Sequence, residues 1–283
     1  MSTYLADTAE DLTVEGPSAT FTYRRIGPRG GVPLVLLNRF LGTLDWWDPE
    51  LLDLLAADHD VIVFDYVGAG YTDGIPHDSV EGLADGTAEF IEALGLAQVD
   101  LLGWTLGGTV AQQIARTRPA LVRRLVVVAA SPGSDLPGAP PRNAQVGAIL
   151  AKGEVSPDDM VFLFFPDTDA GRAAGQVHLA RVATRLATGR PAVSEAAQKA
   201  QATAIAKSTA VPFEQVKAEL AALTQPVLYV HGTQDVMIPD WAAYLSVQHT
   251  GTATLVLYGD AGHALPFQHT LPFATQVNTF LAA

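Results

Sequence analysis

Three side chains far apart in the sequence carry the parts of a proton relay: the hydroxyl of Thr105, the carboxyl of Asp235 and the imidazole of His263. An imidazole oriented by a carboxylate can take a proton from a hydroxyl or from water and turn either into a nucleophile. Thr105 lies in Val99-Asp100-Leu101-Leu102-Gly103-Trp104-Thr105-Leu106-Gly107-Gly108, where an apolar run breaks at Gly103 and a helical pattern begins after Thr105. A strand, a sharp turn and a helix in that order lift a hydroxyl clear of a parallel sheet, with glycine where a side chain would strike neighbouring backbone. Asp235 stands just past a late apolar run and His263 just past the last one, in Gly259-Asp260-Ala261-Gly262-His263. Duller readings exist. Asp235 could cap a helix before Pro239, His263 could close a loop, and Asp260 or Asp135 could orient the imidazole instead.

The elements that must position these groups follow from the apolar pattern. Residues 11 to 26 alternate as antiparallel strands at a sheet edge do. Leu34–Asn38, Val61–Asp65, Val99–Leu102 and Leu125–Ala130 are continuous apolar runs, the pattern of strands buried on both faces. Helical patterns lie between them, among them Val80 to Leu94 with apolar residues at three- and four-residue steps. This alternation predicts an α/β fold, a mostly parallel central β-sheet flanked by helices and joined by right-handed crossovers. From Ser131 a Pro- and Gly-rich linker leads into alanine-rich helical segments without a strand, and strands resume at Val227–His231 and Ala253–Tyr258. The expected organisation is a core domain of residues 1–131 and 224–283 with an all-helical cap insertion at 132–223. The cap would lie over the carboxyl ends of the strands, where such folds bind ligands.

Composition narrows the function classes. A net charge of -13 provides no basic stripe to displace counterions, so nucleic acid and anionic membrane surfaces are not expected partners. There is no cysteine, hence no disulfide framework and no thiolate chemistry. No H-E-x-x-H, P-loop or cysteine pair calls for a metal or nucleotide, and Val67-Gly68-Ala69-Gly70 lacks the third glycine of a dinucleotide loop. No cofactor is expected. The acidic start of the chain has no signal pattern, and no apolar stretch reaches the roughly 18 residues of a membrane span. The expectation is a cytoplasmic protein acting on a small molecule as a monomer or homodimer.

Four stretches in order carry a resemblance. They are Leu36-Leu37-Asn38-Arg39-Phe40-Leu41-Gly42-Thr43 followed by Trp47-Asp48-Pro49, Asp65-Tyr66-Val67-Gly68-Ala69-Gly70-Tyr71-Thr72, Gly103-Trp104-Thr105-Leu106-Gly107-Gly108, and His231-Gly232-Thr233-Gln234-Asp235-Val236-Met237-Ile238-Pro239. Over nearly the whole chain the sequence resembles the α/β-hydrolase family, whose nucleophile, acid and histidine come in this order at these strand ends. The resemblance implies Thr105 as nucleophile, His263 as base and Asp235 as its orienting acid. It also implies the backbone N–H groups of Phe40 and Leu106 as an oxyanion hole. Trp46, Trp104, Phe162, Phe164 and Phe165 are apolar candidates for a substrate pocket under the cap, and His59, His77, His178, His231, His249 and His269 are expected to be structural or solvated.

The pattern departs from the family in two places. Thr105 stands where the family has serine, so the hydroxyl is kept while an added methyl crowds a strained turn. Asn38-Arg39 replaces the usual His-Gly, and Arg39 reads either as a pocket cation for an anionic substrate or as a structural salt-bridge partner. The expected function is hydrolysis of a small, largely apolar carboxylic ester or lactone through a Thr-His-Asp triad. Two alternatives stand beside it. One is a cofactor-independent lyase, cyclase or oxygenase in which His263 and Asp235 act as base and Thr105 only hydrogen-bonds; the other is a non-catalytic binder.

Overall fold

The computed structural model describes residues 4–141, 143–150, 152, 155–188 and 193–283. Residues 1–3 of the expected core, and 142, 151, 153, 154 and 189–192 of the expected cap, lie outside the described residues. The chain opens with α1 (Leu5–Thr8), β1 (Leu12–Glu15) and β2 (Thr20–Ile26). Then come β3 (Leu34–Leu37), a 3-10 turn at Leu44–Trp46, α2 (Pro49–Ala56), β4 (Val61–Phe64) and α3 (Val80–Ala93). β5 (Val99–Trp104), α4 (Leu106–Thr117) and β6 (Val122–Val128) complete the first half. An insertion follows whose elements are all helices among the described residues: α5 (Ala144–Leu150), α6 (Pro157–Phe164), α7 (Asp169–Leu186), α8 (Glu195–Thr209) and α9 (Phe213–Ala221). β7 (Val227–Gly232), α10 (Trp241–His249), β8 (Ala253–Tyr258), α11 (Leu265–Gln268) and α12 (Thr270–Ala282) end the chain.

The strands form one sheet in the order β1-β2-β4-β3-β5-β6-β7-β8. β1 and β2 pair antiparallel at one edge, and every pair from β4 to β8 is parallel. Side chains alternate between two apolar layers, which explains the continuous apolar runs. Val35, Leu37, Ile62 and Leu101 pack with Phe90 and Ile91 of α3 and Val110 and Ile114 of α4. Leu34, Leu36, Val63 and Leu102 face the other way, against Leu51 and Leu55 of α2 and Phe273 and Val277 of α12. β6 begins three residues before the apolar run suggests, because Arg123 spends its charge on buried Asp100 of β5, with Nη2 to Oδ2 at 2.5 Å. The helical insertion contributes to both layers: Ala204 of α8 and Val216 of α9 join one, and Ile149 of α5 and Phe164 of α6 the other. Among the described residues, no helix is long and apolar enough to cross a membrane.

Candidate active site

Thr105 sits at the junction of β5 and α4 with φ 53° and ψ -115°, a conformation that β-branched residues rarely adopt. Backbone packing holds it there. The Thr105 N–H donates to the Val128 carbonyl of β6 at 2.9 Å. A Cβ on Gly103 would lie 2.2 Å from the Gly107 carbonyl oxygen, and one on Gly107 would lie 2.1 Å from that of Leu37, so the helix can approach the sheet only with glycine at both places. Leu106 opens α4, where a backbone N–H has no intrahelical acceptor and the helix dipole favours negative charge.

His263 is fully buried in the loop after β8. Its Nδ1 lies 2.7 Å from Asp235 Oδ2. Because the partner is a carboxylate, Nδ1 carries the proton and Nε2 presents its lone pair. That Nε2 is buried and, among the described residues, has no hydrogen-bond partner, the Thr105 hydroxyl included. The ring stacks on Phe164 of α6, with centroids 5.6 Å apart, while the neighbouring backbone is tied on both sides. The Trp104 indole donates to the His263 carbonyl at 3.0 Å, and the Ala264 N–H to the Phe164 carbonyl at 2.7 Å.

Asp235 is held by four contacts. Oδ1 accepts the N–H groups of Met237 and Ile238 at 2.8 and 3.0 Å, and Oδ2 takes His263 together with His231 Nε2 at 3.1 Å. Burial by itself would raise this carboxyl, but electrostatic attraction to His263 and the hydrogen bonds from His231 and His263 outweigh burial and hold it well below the ordinary carboxylate range. Asp235 therefore stays ionised and fixes the imidazole. The rival Asp260 pairs instead with His269 Nε2 at 3.0 Å.

Beside this arrangement lies a small pocket lined by Arg39, Trp46, Trp104, Phe164, Phe165, His178 and Ala264, among others. Five of the six expected pocket residues meet there. Phe162 does not: it is half-buried and packs against the core layer beneath α6, since one step of 100° along a helix turns it away from its neighbours. Two further histidines lie against this arrangement. His231 braces Asp235 from the end of β7, four residues upstream, a spacing visible in the acid-bearing stretch. His178 of α7 lines the cavity, with Nδ1 2.8 Å from Asp48 Oδ2 and its ring flat on Phe267 at 4.4 Å. Burial depresses its pKa although Asp48 opposes the shift. Nothing in the sequence around His178 marks it.

The oxyanion-loop candidate is bent tightly. Leu41 has φ 58°, the Gly42 N–H donates to the Arg39 carbonyl at 3.1 Å, and the Tyr66 hydroxyl donates to the Asn38 carbonyl at 3.2 Å. A family model described as alpha/beta hydrolase fold matches residues 32–270, most of the chain. The chain belongs to the alpha/beta hydrolase fold family. Among curated relatives of this α/β hydrolase, a stretch of the polyketide synthase ThaQ of Burkholderia thailandensis is 32% identical over 282 residues. That match takes in 98% of this chain but only 13% of the synthase. A pimeloyl-[acyl-carrier protein] methyl ester esterase of Nitrosomonas europaea is 28% identical over 242 residues, 84% of this chain and 90% of that protein. Among solved structures, an alpha/beta hydrolase fold protein from Chitinophaga pinensis superposes with a TM-score of 0.88 at 29% identity, covering 98% of both chains.

Proposed function

We propose that this α/β hydrolase cleaves a small carboxylic ester or lactone by acyl transfer through Thr105, with residues 132–223 acting as the cap over the site. The observation that carries the reading is His263: its Nδ1 is clamped on an ionised, buried Asp235 while its Nε2 is buried without a partner among the described residues. A base oriented in this way and left unpaired is ready to accept a proton. His263 Nε2 takes the Thr105 hydroxyl proton as Oγ1 adds to the ester carbonyl carbon. The carbonyl oxygen gains the negative charge and is held by the N–H groups of Leu106 and Phe40. Collapse of the adduct breaks the bond to the alcohol oxygen, which leaves with the proton from His263. Water, deprotonated by His263, then attacks the acyl-threonine, releases the acid and restores the hydroxyl. The 28%-identical methyl ester esterase supports the ester class.

The β-branched residue at φ 53° favours a second reading, in which Thr105 only hydrogen-bonds and His263 serves as base for a non-hydrolytic reaction. A fluorophosphonate probe and the Thr105→Ser variant separate the two. Acyl transfer requires covalent labelling at residue 105 and a roughly tenfold or larger gain in turnover of 4-nitrophenyl butyrate on removing the methyl, because small misplacements of a nucleophile cost about 100-fold. A serine variant that is neither labelled nor active on such esters sinks the acyl-transfer reading.

A further inference from the structure

Arg39 is a cation buried against aromatic rings. It is 7% exposed, and its guanidinium lies over three aromatic rings, 4.8 Å from Trp46, 5.1 Å from Phe164 and 5.9 Å from Trp104. Several other arginines of the fold have carboxylates, Arg24 with Asp11 and Asp45, Arg25 with Asp60, Arg123 with Asp100, and Arg181 with Asp48 and Glu50, whereas the less buried Arg124 and Arg185 have no carboxylate among the described residues. Among the described residues Arg39 has none. Its one hydrogen bond runs from Nη1 to the Phe40 carbonyl at 2.7 Å. Ring faces attract the charge but offer no acceptor in the guanidinium plane, so the remaining N–H donors have no protein acceptor among the described residues. Burial lowers its pKa to about 10, which leaves the side chain charged at neutral pH. Burying a cation without a counter-charge is unfavourable, and an arginine fork matches a carboxylate in shape and charge.

The chain neighbours of the proposed reacting groups place this cation. Arg39 precedes Phe40, Trp104 precedes Thr105, Ala264 follows His263, and all three line the same cavity. An anionic group lodged against Arg39 thus lies among residues that adjoin Thr105 and His263 in the chain. We infer that this cavity is a carboxylate-binding subsite, Arg39 its anchor, and that the substrate carries a free carboxylate beside the bond that is cleaved. The inference rests on the acyl-transfer reading for its second half and sharpens the largely apolar substrate expected from the sequence: the apolar walls flank a single charged contact.

Two measurements test it. The first compares kcat/KM for 4-nitrophenyl hydrogen glutarate with that for the uncharged 4-nitrophenyl pentanoate. The parent should prefer the charged ester roughly 10- to 100-fold, the size of a charge-assisted hydrogen bond, and the preference should collapse toward one in Arg39→Gln and survive in part in Arg39→Lys. No preference in the parent, or an equal preference in Arg39→Gln, overturns the inference. The second needs no turnover: glutarate and its uncharged diamide are titrated against the emission of the tryptophans around Arg39. Saturable binding of glutarate but not of the diamide supports the subsite, and Arg39→Gln should abolish it. No saturable response in the parent overturns the subsite and leaves acyl transfer to be judged by labelling at Thr105. Should Arg39→Gln fail to fold, both comparisons made on the parent alone still decide.

Discussion

At the scale of the residue, Thr105 carries two conflicting demands. Its φ of 53° and ψ of -115° mirror an ordinary extended conformation, which glycine enters freely and a β-branched residue does not. Strain of this kind costs about 1–3 kcal/mol, while replacement by glycine forfeits about 1 kcal/mol of chain entropy and two buried carbons worth about 0.8 kcal/mol each. At the upper end of that strain the two sides cancel to within about 0.5 kcal/mol. Thr105→Gly is therefore expected to leave the urea midpoint nearly unchanged while abolishing fluorophosphonate labelling. A loss of stability of the size normal for truncating a buried threonine would show that the backbone at this turn is not strained.

At the scale of the element, the site is assembled by contacts between segments remote in sequence. Gln201 of α8 is buried, and its Oε1 accepts the N–H of Leu41, 160 residues away, where the loop that bears Phe40 bends through a positive φ. Removing that acceptor should loosen the Phe40 N–H rather than the fold. Gln201→Ala is expected to lose only about 1 kcal/mol in urea unfolding, one hydrogen bond's worth. Its kcat on 4-nitrophenyl butyrate should fall roughly tenfold with KM nearly constant, since an oxyanion donor acts in the transition state; a rise in KM alone would place Gln201 in substrate binding instead. This coupling also marks the boundary of what the sequence makes legible. Strands buried on both faces announce themselves as apolar runs, and the elbow, acid and histidine segments are each local patterns with fixed neighbours. The inward face of the alanine-rich helix α7 is not announced, because small residues leave no strong apolar stripe to orient it, and so His178 escapes notice. In α6 the run Met160-Val161-Phe162-Leu163-Phe164-Phe165 is apolar all round, so periodicity cannot tell Phe164 in the cavity wall from Phe162 outside it. For Arg39 the sequence leaves a salt-bridge partner and an anionic ligand equally open, since a partner can come from anywhere in the fold.

At the scale of the whole molecule, 30 acidic residues face 17 basic ones, yet several aspartates are buried and paired, so the fold's tolerance of acid depends on a few of them. Asp60 ties the sheet edge together by receiving Arg25 of β2, Nη2 to Oδ2 at 2.6 Å, and Arg29 from the following loop. Burial pushes its carboxyl up, but the hydrogen bonds from Arg25 and Arg29 and their charges push harder, and it titrates below its ordinary value. Arg25 answers in kind, raised chiefly by its hydrogen bond to Asp60. A carboxyl held lower in the folded than in the unfolded chain stabilises the fold fully above the unfolded value, about 3.9, and that stabilisation drains away as pH falls through the folded one. Asp235 shifts in the same direction for its own reasons. Urea unfolding of the parent should hence weaken steadily from about pH 5 downward, through protonation of paired carboxylates. Asp60→Asn removes one of them without touching the active site: it should be less stable than the parent at pH 7, and the gap should narrow as pH falls below about 4, because the parent then loses what the variant never had. A gap that stays constant down to the acid limit of the measurement would mean that the Asp60 pairings with Arg25 and Arg29 do not depend on its charge.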